Sequence, residues 1–256
     1  MAKLNTQISR AAKWMDSRIG KKPLMVCLPF AGGGASIYTG WKQALSEYVE
    51  VSPIFLPGRE IRSNEIPIDN MYSLINELVS YWKFCEYKPD VVFGHSMGAA
   101  IAYELCAALQ SHGMPIPSLL IISGHASPHA KIPYSFHQLE DHLFIKSIHA
   151  LGGLDSEIIN SPELIEYLLP ILRADFTLIE TWKPSGILLS NTEIWVISGS
   201  QDEQASLDKM SGWSQYSSRP ISSIIIQGNH FFIHKQRTEL LTILSQKLNI
   251  YFNKND

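Results

Sequence analysis

A serine between two glycines, at the end of an apolar run, constrains this chain more than any other feature. Residues 94–98 read Gly-His-Ser-Met-Gly and directly follow the run Asp-Val-Val-Phe at 90–93. A G-x-S-x-G pattern between a β-type run and a helical pattern predicts a nucleophile elbow, a strand–turn–helix unit that exposes its serine above a sheet. The turn brings backbone against backbone, so it needs small residues at 94 and 98. Ser96 is therefore the candidate nucleophile, at a helix N-terminus where developing negative charge is favoured.

Apolar runs and helical patterns alternate along the rest of the chain. Strands are predicted at 23–28, 49–56, 91–93, 119–122, 194–197 and 221–226, and a last helix from about 235 to 248. Continuous apolar strands that alternate with helices favour an α/β fold, with a mostly parallel central sheet and helices on both faces. We expect residues 1–256 to form a single domain of this class.

The segment from 123 to 192 interrupts this alternation, because it contains helical patterns and no convincing strand. Helical pieces are predicted at 158–160, 164–172 and 176–182. Long insertions between core strands are commonly functional. We therefore expect a helical lid insertion at about 130–187.

Charge and composition exclude several classes of protein. The net charge is −3, so no global basic field favours nucleic acid or an anionic membrane. No apolar run approaches the ~18 residues of a membrane span, and residues 1–22 lack the apolar core of a secretory signal. Three cysteines without metal-ligand spacing give no disulfide framework. We expect a cytoplasmic monomer without metal or cofactor and with no nucleic-acid or membrane partner.

A serine hydroxyl is a poor nucleophile at neutral pH and needs a neighbouring base, which a third group orients. In elbow-type enzymes the acid and then the histidine follow the serine, on loops after later strands. His230 follows the last predicted strand and is the candidate base, with His234 as the nearest rival. Asp202 follows the strand before it and is the candidate acid, with Glu203 as the alternative.

An oxyanion hole needs two backbone N–H groups aimed at the developing charge. Met97, the residue after the nucleophile, is expected to supply one. The second is assigned to Ala31, in the loop Leu-Pro-Phe-Ala-Gly-Gly-Gly at 28–34. A phosphate cradle is the competing interpretation of these glycines. The loop lacks Gly-Lys-Ser/Thr, and Ile37 stands where G-x-G-x-x-G would need glycine or alanine, so nucleotide binding is not expected.

Five motifs occur together in one order along the chain. They are Pro-Phe-Ala-Gly-Gly at 29–33, Leu-Pro-Gly-Arg at 56–59 with Arg62, Gly-His-Ser-Met-Gly at 94–98, Leu-Pro-Ile-Leu-Arg-Ala-Asp-Phe at 169–176 and Gly-Asn-His-Phe-Phe at 228–232. The set resembles the type II (external, editing) thioesterases of nonribosomal peptide and polyketide synthesis, which have the α/β-hydrolase fold. The medium-chain fatty-acid-synthase thioesterase belongs to the same superfamily. The resemblance spans about residues 23 to 235.

The resemblance implies hydrolysis of acyl thioesters on the phosphopantetheine arm of an acyl or peptidyl carrier protein, as an editing or release step in antibiotic or siderophore assembly. It puts Ser96, His230 and Asp202 on the family's catalytic positions. Ala31 and Met97 fall on its oxyanion positions.

The helical insertion falls where the family has a lid over the acyl pocket. The acid loop departs from the family's frequent Gly-Asp-x-Asp, since residues 199–202 read Gly-Ser-Gln-Asp, although the second acid is kept.

The apolar stripe of the insertion has two interpretations. Leu164, Leu168, Leu169, Leu172 and Phe176 follow helical spacing, which indicates ordinary packing or, in part, a wall of the acyl pocket. We take Phe30, Leu168, Leu172 and Phe176 as the candidate substrate-binding residues. Arg59, Arg62 and Arg173 either contact an acidic carrier protein or are structural.

The same catalytic residues also fit other functions. An esterase, lipase or peptidase shares them on the same fold, and so does a medium-chain fatty acyl-ACP thioesterase. An acyltransferase would pass the acyl group to an alcohol or amine instead of water. A non-catalytic binding module would keep the fold without reacting with a serine-directed probe.

Overall fold

A sheet of parallel strands forms the centre of the described molecule. The structure is a computed structural model, and it describes residues 14–16, 20–130 and 135–253. The strands in these ranges are β1 (Leu24–Leu28), β2 (Glu50–Pro53), β3 (Val91–His95), β4 (Leu119–Ser123), β5 (Glu193–Gly199) and β6 (Ser222–Ile226). Their order across the sheet is β2-β1-β3-β4-β5-β6, and every neighbouring pair is parallel. The predicted α/β class with a parallel central sheet is confirmed.

Helices follow most of the strands along the chain. The described α-helices are α1 (Trp41–Ala44), α2 (Met71–Phe84), α3 (Met97–Ser111), α4 (Asp141–Ala150), α5 (Ser156–Ile159), α6 (Pro162–Glu180), α7 (Leu207–Ser211), α8 (Phe232–Lys235) and α9 (Arg237–Asn253). Short 3-10 helices lie at Ala35–Tyr38, Glu60–Arg62, Phe136–Gln138 and Gly212–Tyr216. Among the described helices, none combines the length and the apolar character needed to cross a bilayer.

Both faces of the sheet are buried. Successive side chains of a strand point to opposite faces. Leu24 and Val26 of β1 pack with the apolar faces of α2 and α3, whereas Met25 and Cys27 pack with Trp41 and α9 on the other face. Burial on both sides explains why the strands appear in the sequence as continuous apolar runs rather than alternating ones.

The helical insertion lies between β4 and β5 and contains α4, α5 and α6. It has its own apolar cluster, formed by Phe144, Ile145, Ile148, Leu154, Leu172 and Phe176. The prediction of separate helical pieces at 164–172 and 176–182 is wrong, because α6 runs unbroken from Pro162 to Glu180. The polar residues that divided the prediction, Arg173 and Asp175, are paired in the structure and remain helical.

Several element boundaries also differ from the sequence predictions. The second strand ends at Pro53, earlier than the predicted 56. Beyond it the Ile54 N–H donates once more to the carbonyl of Cys27, and the Phe55 N–H donates to Trp14, outside the sheet. The last helical region is divided at Gln236 into α8 and α9, and α9 reaches Asn253. Most of residues 1–22, for which no conformation was chosen from the sequence, lie outside the described residues.

Candidate active site

The turn at residues 94–98 has the strained geometry that the sequence predicts. Ser96 joins β3 to α3 with φ 52° and ψ −120°, a conformation that L-residues rarely adopt. A Cβ at Gly94 would overlap the backbone carbonyl of Gly98, and one at Gly98 would overlap the carbonyl of Leu28. Only glycine fits at either position. The strand, the turn and the helix therefore lift Ser96 to the carboxyl edge of the sheet.

The structure brings Ser96, His230 and Asp202 together at this edge. The Nε2 atom of His230 lies 3.0 Å from Ser96 Oγ, and its Nδ1 atom lies 2.8 Å from Asp202 Oδ2. Asp202 follows β5 and His230 follows β6, so neighbouring strands present the two residues side by side. Both side chains are buried, and the other carboxylate oxygen of Asp202 accepts the N–H groups of Gln204 and Ala205.

Electrostatics keep Asp202 ionised. Burial on its own raises the pKa of this carboxyl. The hydrogen bond and charge of His230 and the two backbone N–H groups lower it by more than burial raises it, so the pKa of Asp202 is below its usual value. A carboxylate next to Nδ1 favours the tautomer with the proton on that nitrogen. Nε2 is then free to accept the proton of Ser96.

Neither rival residue replaces these two. His234 lies in α8, where its ring packs edge-on against Phe30 with ring centroids 5.3 Å apart. Glu203 lines the neighbouring cavity, while the imidazole of His230 contacts Asp202.

His95 is a supporting residue whose role the sequence did not reveal. Its ring is fully buried, with Nδ1 2.8 Å from Ser123 Oγ and Nε2 3.0 Å from the carbonyl oxygen of His230. Burial lowers the pKa of His95 well below its ordinary value, so the ring is neutral. A neutral imidazole that bonds the backbone of His230 fixes the loop that carries the candidate base. The second position of a G-x-S-x-G motif accepts many residue types, so it gives no sequence signal for this contact.

The two residues predicted to supply the oxyanion donors, Ala31 and Met97, line the same cavity. Met97 is the first residue of α3, so its N–H has no intrahelical acceptor. Ala31 lies in the loop after β1. Among the described residues, neither N–H donates a hydrogen bond, and both residues line a cavity together with Ser96. Two N–H groups without an acceptor in the described part of the chain, beside the candidate nucleophile, are the kind of donor that an oxyanion hole uses.

A cavity of about 540 Å³ opens at the three residues Ser96, His230 and Ala31. Its apolar lining includes Phe30, Met97, Ile148, Leu151, Phe176, Ile179 and Phe231, and its polar lining includes His125, Glu180, Glu203 and Lys209. The core supplies one side and the helical insertion supplies the other.

Of the four candidate substrate-binding residues, Phe30 and Phe176 line this cavity. Leu168 and Leu172 are not among its described lining residues. On α6 the cavity is lined by Phe176, Ile179 and Glu180, at the C-terminal end of the helix. Leu172 is buried against the loop after β1, and Leu168 packs within the apolar cluster of the insertion.

The arginines of the sequence motifs are structural. Arg59 and Arg62 are both buried, and they form ion pairs with Asp175 and Glu65 over 2.6 and 2.7 Å. Neither side chain is available to a carrier protein, so that interpretation is wrong for these two. Arg173 pairs with Asp141 and also donates to the carbonyls of His137 and Leu139, which fastens the N-terminal part of the insertion to α6.

Comparison with known proteins gives a consistent picture. Residues 23–248 match the family model of the thioesterase domain. The chain is 31% identical to the probable anguibactin biosynthesis thioesterase AngT of Vibrio anguillarum, over 88% of this chain and 92% of that protein.

Solved structures agree with the sequence comparison. RedJ, a thioesterase from the prodiginine biosynthetic pathway of Streptomyces coelicolor, has 31% identity and a TM-score of 0.76, over 90% of this chain and 94% of RedJ. YbtT, a type II thioesterase from the yersiniabactin NRPS/PKS pathway, has 29% identity and a TM-score of 0.79, over 90% of this chain and 94% of YbtT.

Proposed function

The chain belongs to the thioesterase family and is a hydrolase of thioesters, and from this premise we propose that it removes acyl groups from the phosphopantetheine arm of carrier proteins in nonribosomal peptide or polyketide synthesis. The observation that carries the proposal is the hydrogen-bonded series Ser96–His230–Asp202 at the mouth of a largely apolar cavity. An apolar cavity suits an acyl chain, and a serine paired with an imidazole suits acyl transfer.

In the first step, Ser96 Oγ attacks the thioester carbonyl carbon while its proton passes to His230 Nε2. Asp202 stabilises the resulting imidazolium and holds its orientation. The N–H groups of Ala31 and Met97 stabilise the negative oxygen of the tetrahedral intermediate. When the carbon–sulfur bond breaks, the proton on Nε2 goes to the leaving thiol of the arm, and the acyl group remains on Ser96 as an ester.

In the second step, water replaces the thiol. His230 Nε2 takes a proton from this water, whose oxygen attacks the ester carbonyl. The second tetrahedral intermediate uses the same two N–H donors. Its collapse breaks the bond to Ser96 Oγ, returns the proton to that oxygen and releases a carboxylic acid.

The position of the helical insertion supports the proposal that it acts as a lid. The cavity is lined by Ile148 and Leu151 of the α4 region and by Phe176 and Ile179 of α6, together with Phe30 of the core. An acyl chain on Ser96 would therefore be enclosed between the insertion and the core. We also propose that the enzyme is a cytoplasmic monomer. Light scattering of the purified protein tests the oligomeric state, and cell fractionation tests the location.

The decisive experiment offers the enzyme a panel of carrier proteins, each loaded with a different acyl group on phosphopantetheine. Mass spectrometry of the intact carriers measures how fast each one returns to the free thiol. The proposal expects release with wild-type enzyme and none above background with Ser96→Ala as the matched control.

Three other outcomes would replace the proposal. Hydrolysis of p-nitrophenyl esters but not of acyl carriers would indicate a general esterase or lipase. Transfer of the acyl group to an added alcohol or amine, seen by product analysis, would indicate an acyltransferase. Failure of a fluorophosphonate probe to label Ser96 would indicate a non-catalytic protein.

A further inference from the structure

The candidate oxyanion donor Ala31 lies in a tight turn. Two successive peptide planes of this turn are fixed by hydrogen bonds to different partners. The N–H of Gly33 donates to the carbonyl of Phe30 over 2.9 Å, and Gly32 has a φ of 81°, as the third position of a type II turn requires. Since a trans peptide is planar, the bond to Phe30 also directs the Ala31 N–H away from the turn. The next plane carries the Gly32 N–H, and its orientation depends on an acceptor outside the turn.

That acceptor is the carboxylate of Asp175, on α6 of the insertion. Asp175 Oδ2 accepts the Gly32 N–H over 2.7 Å. Arg59 binds the same carboxylate in a bidentate manner, over 2.6 and 2.8 Å, and its Nη1 also donates to the carbonyl of Gly33 over 3.0 Å. Only 5% and 2% of the two side chains are exposed. One buried ion pair therefore holds the turn from both of its glycines.

Two further contacts immobilise the same loop. A Cβ built at Gly32 would lie 2.5 Å from Leu172 Cδ2, so α6 also presses an apolar side chain against the turn. On the other side, the Glu60 carboxylate accepts the N–H groups of Ala35 and Ser36 over 2.8 and 2.9 Å. The loop after β1 is thus held between α6 and the segment around Glu60.

We propose that Asp175 and Arg59 are positioning residues for the oxyanion hole, and that Asp175 makes α6 part of its scaffold. The inference rests on the proposed function, since it takes Ala31 as an oxyanion donor. Without the ion pair, the Gly32 N–H loses its acceptor and the Gly33 carbonyl loses its donor. The turn then loosens, and with it the Phe30–Gly33 hydrogen bond that directs the Ala31 N–H. Seating of α6 on the core and formation of the oxyanion hole are then a single event.

If the ion pair had a purely structural role, a variant that lacks it but stays folded would keep its activity, and this allows a test. Replacing both members of a buried ion pair by apolar residues of similar volume is often neutral or stabilising, whereas removing one member leaves a buried charge unpaired. The double variant Arg59→Met/Asp175→Leu should therefore melt near the wild-type temperature. It lacks the acceptor for the Gly32 N–H and the donor to the Gly33 carbonyl.

The first readout is turnover of an acyl N-acetylcysteamine thioester, a short mimic of the phosphopantetheine end. Losing one oxyanion donor outright lowers kcat by ~10²–10³. Loosening Ala31 is expected to lower kcat by roughly 10- to 100-fold, with KM within about 3-fold of wild type, because the contact strengthens in the transition state.

The second readout is inhibition by an acyl trifluoromethyl ketone, whose hemiketal with Ser96 carries an oxyanion. Its affinity should weaken by the same factor as kcat/KM. Binding of a thioether analogue, which forms no oxyanion, should stay within about 3-fold of wild type. A double variant that melts like wild type and keeps its kcat and ketone affinity would overturn the proposal. A fall in kcat without weaker ketone binding would overturn it as well.

Two further variants keep the test informative if the double variant folds poorly. Arg59→Met/Asp175→Asn retains an acceptor for the Gly32 N–H and should be faster than the Met/Leu pair. Arg59→Lys keeps the charge but cannot reach both carboxylate oxygens and the Gly33 carbonyl, so a smaller loss of kcat is expected. Equal rates for all of these variants and for wild type would contradict the proposal.

Arg173→Met is the matched control, because it removes an ion pair from the same helix without touching the turn. It should lower the melting temperature while ketone affinity stays within about 3-fold of wild type. The small thioester and the ketone need no carrier protein. If wild type acts on them but not on acyl carriers, the proposed substrate fails while the positioning test still stands.

Discussion

The two walls of the active site are built in different ways. The triad wall, formed by Ser96, Asp202 and His230, stands on residues that follow β3, β5 and β6 within four positions. The oxyanion wall, formed by the loop at 29–36, also follows a strand but is held by contacts with α6 and with the segment around Arg59. The first wall takes its geometry from short turns next to the sheet. The second takes its geometry from tertiary contacts between distant parts of the chain.

This difference predicts that substitutions in the triad wall abolish activity but leave the fold intact. Ser96→Ala should lower kcat by ~10⁶, as removal of a nucleophile does in a serine hydrolase. Its fold should persist, because the hydroxyl lies at the surface of a rigid elbow. Ser96→Gly should be equally inactive and more stable than Ser96→Ala by about 1–3 kcal/mol, because glycine adopts φ 52° without strain.

Single-turnover kinetics and urea unfolding of the two variants measure these effects. More than 1% residual kcat in Ser96→Ala would mean that another group forms the acyl intermediate. Equal stability of the two variants would mean that the elbow is not strained.

The acid of the triad wall should show the next largest effect. Asp202→Asn preserves the shape but changes the hydrogen bond to Nδ1 of His230, and a loss of about 10⁴ in kcat is expected. Glu203→Gln should change kcat by less than about 3-fold, since Glu203 does not orient the imidazole. The paired measurement of kcat for both variants decides between neighbouring carboxylates. Similar losses in both would indicate that the two residues share the role.

Sequence alone could predict the triad wall because each of its residues has a local signature. The glycines at 94 and 98 signal the sharp turn, and His230 and Asp202 are recognisable by following late strands in the right order. The parallel sheet was equally accessible, since its apolar runs are continuous.

The support of the oxyanion wall was not accessible in this way. Asp175 and Arg59 are separated by 116 positions, and no local pattern specifies their pairing. The only signal is a carboxylate between Leu172 and Phe176 on an apolar stripe, which requires a buried partner without identifying it. The same residue interrupted the predicted helix, because its charge is neutralised only in the folded molecule.

The oxyanion wall should be sensitive to packing changes that the triad wall does not feel. Leu172→Ala removes a buried side chain from the contact with Gly32 and should lower the free energy of unfolding by about 2–5 kcal/mol. It should also lower kcat by roughly 10-fold, part of the effect of losing an oxyanion donor.

Leu164→Ala on the same helix is the control, since its side chain is exposed and its effect on unfolding should stay within about 0.5 kcal/mol. Chemical unfolding and steady-state kinetics of both variants give the comparison. A destabilised Leu172→Ala with wild-type kcat would separate the packing of α6 from the oxyanion loop.

Acid should lower the stability of the fold through two histidines near the triad wall, the buried His95 and the partly buried His125. Burial lowers the pKa of His95 well below its ordinary value and that of His125 to about 4. These two histidines therefore bind protons near pH 6.5 in the unfolded chain but stay neutral in the folded chain. Stability is complete above this pH and falls as the pH drops towards 4, by at most about 1.4 kcal/mol per pH unit for each histidine.

Urea unfolding at several pH values between 7.5 and 4.5 measures this slope. The variant His125→Gln should show a shallower slope than wild type, because one of the two histidines no longer titrates. An unchanged slope would mean that His125 accepts a proton as readily in the folded protein as in the unfolded one.

The smallest predicted effect concerns the side of the cavity that α6 supplies. Phe176 lines the cavity and packs edge-on against Phe144, with ring centroids 5.4 Å apart. Phe176→Leu should enlarge the space for an acyl chain and Phe176→Trp should reduce it, which would shift the preferred chain length in opposite directions. Hydrophobic pockets discriminate single methylene groups by only about 1–3 kcal/mol. A change at one residue of the lining should reach only the lower end of this range, which corresponds to shifts of roughly 3- to 10-fold in relative kcat/KM.

Competition between acyl thioesters of increasing chain length measures this preference, and Phe136→Leu is the control. Phe136 packs near the ring of Phe176 but is not among the described lining residues of the cavity. If both variants of Phe176 keep the wild-type preference, α6 does not determine the preferred length of the acyl chain. Its contribution would then be confined to the oxyanion wall, and selectivity would have to come from core residues such as Phe30.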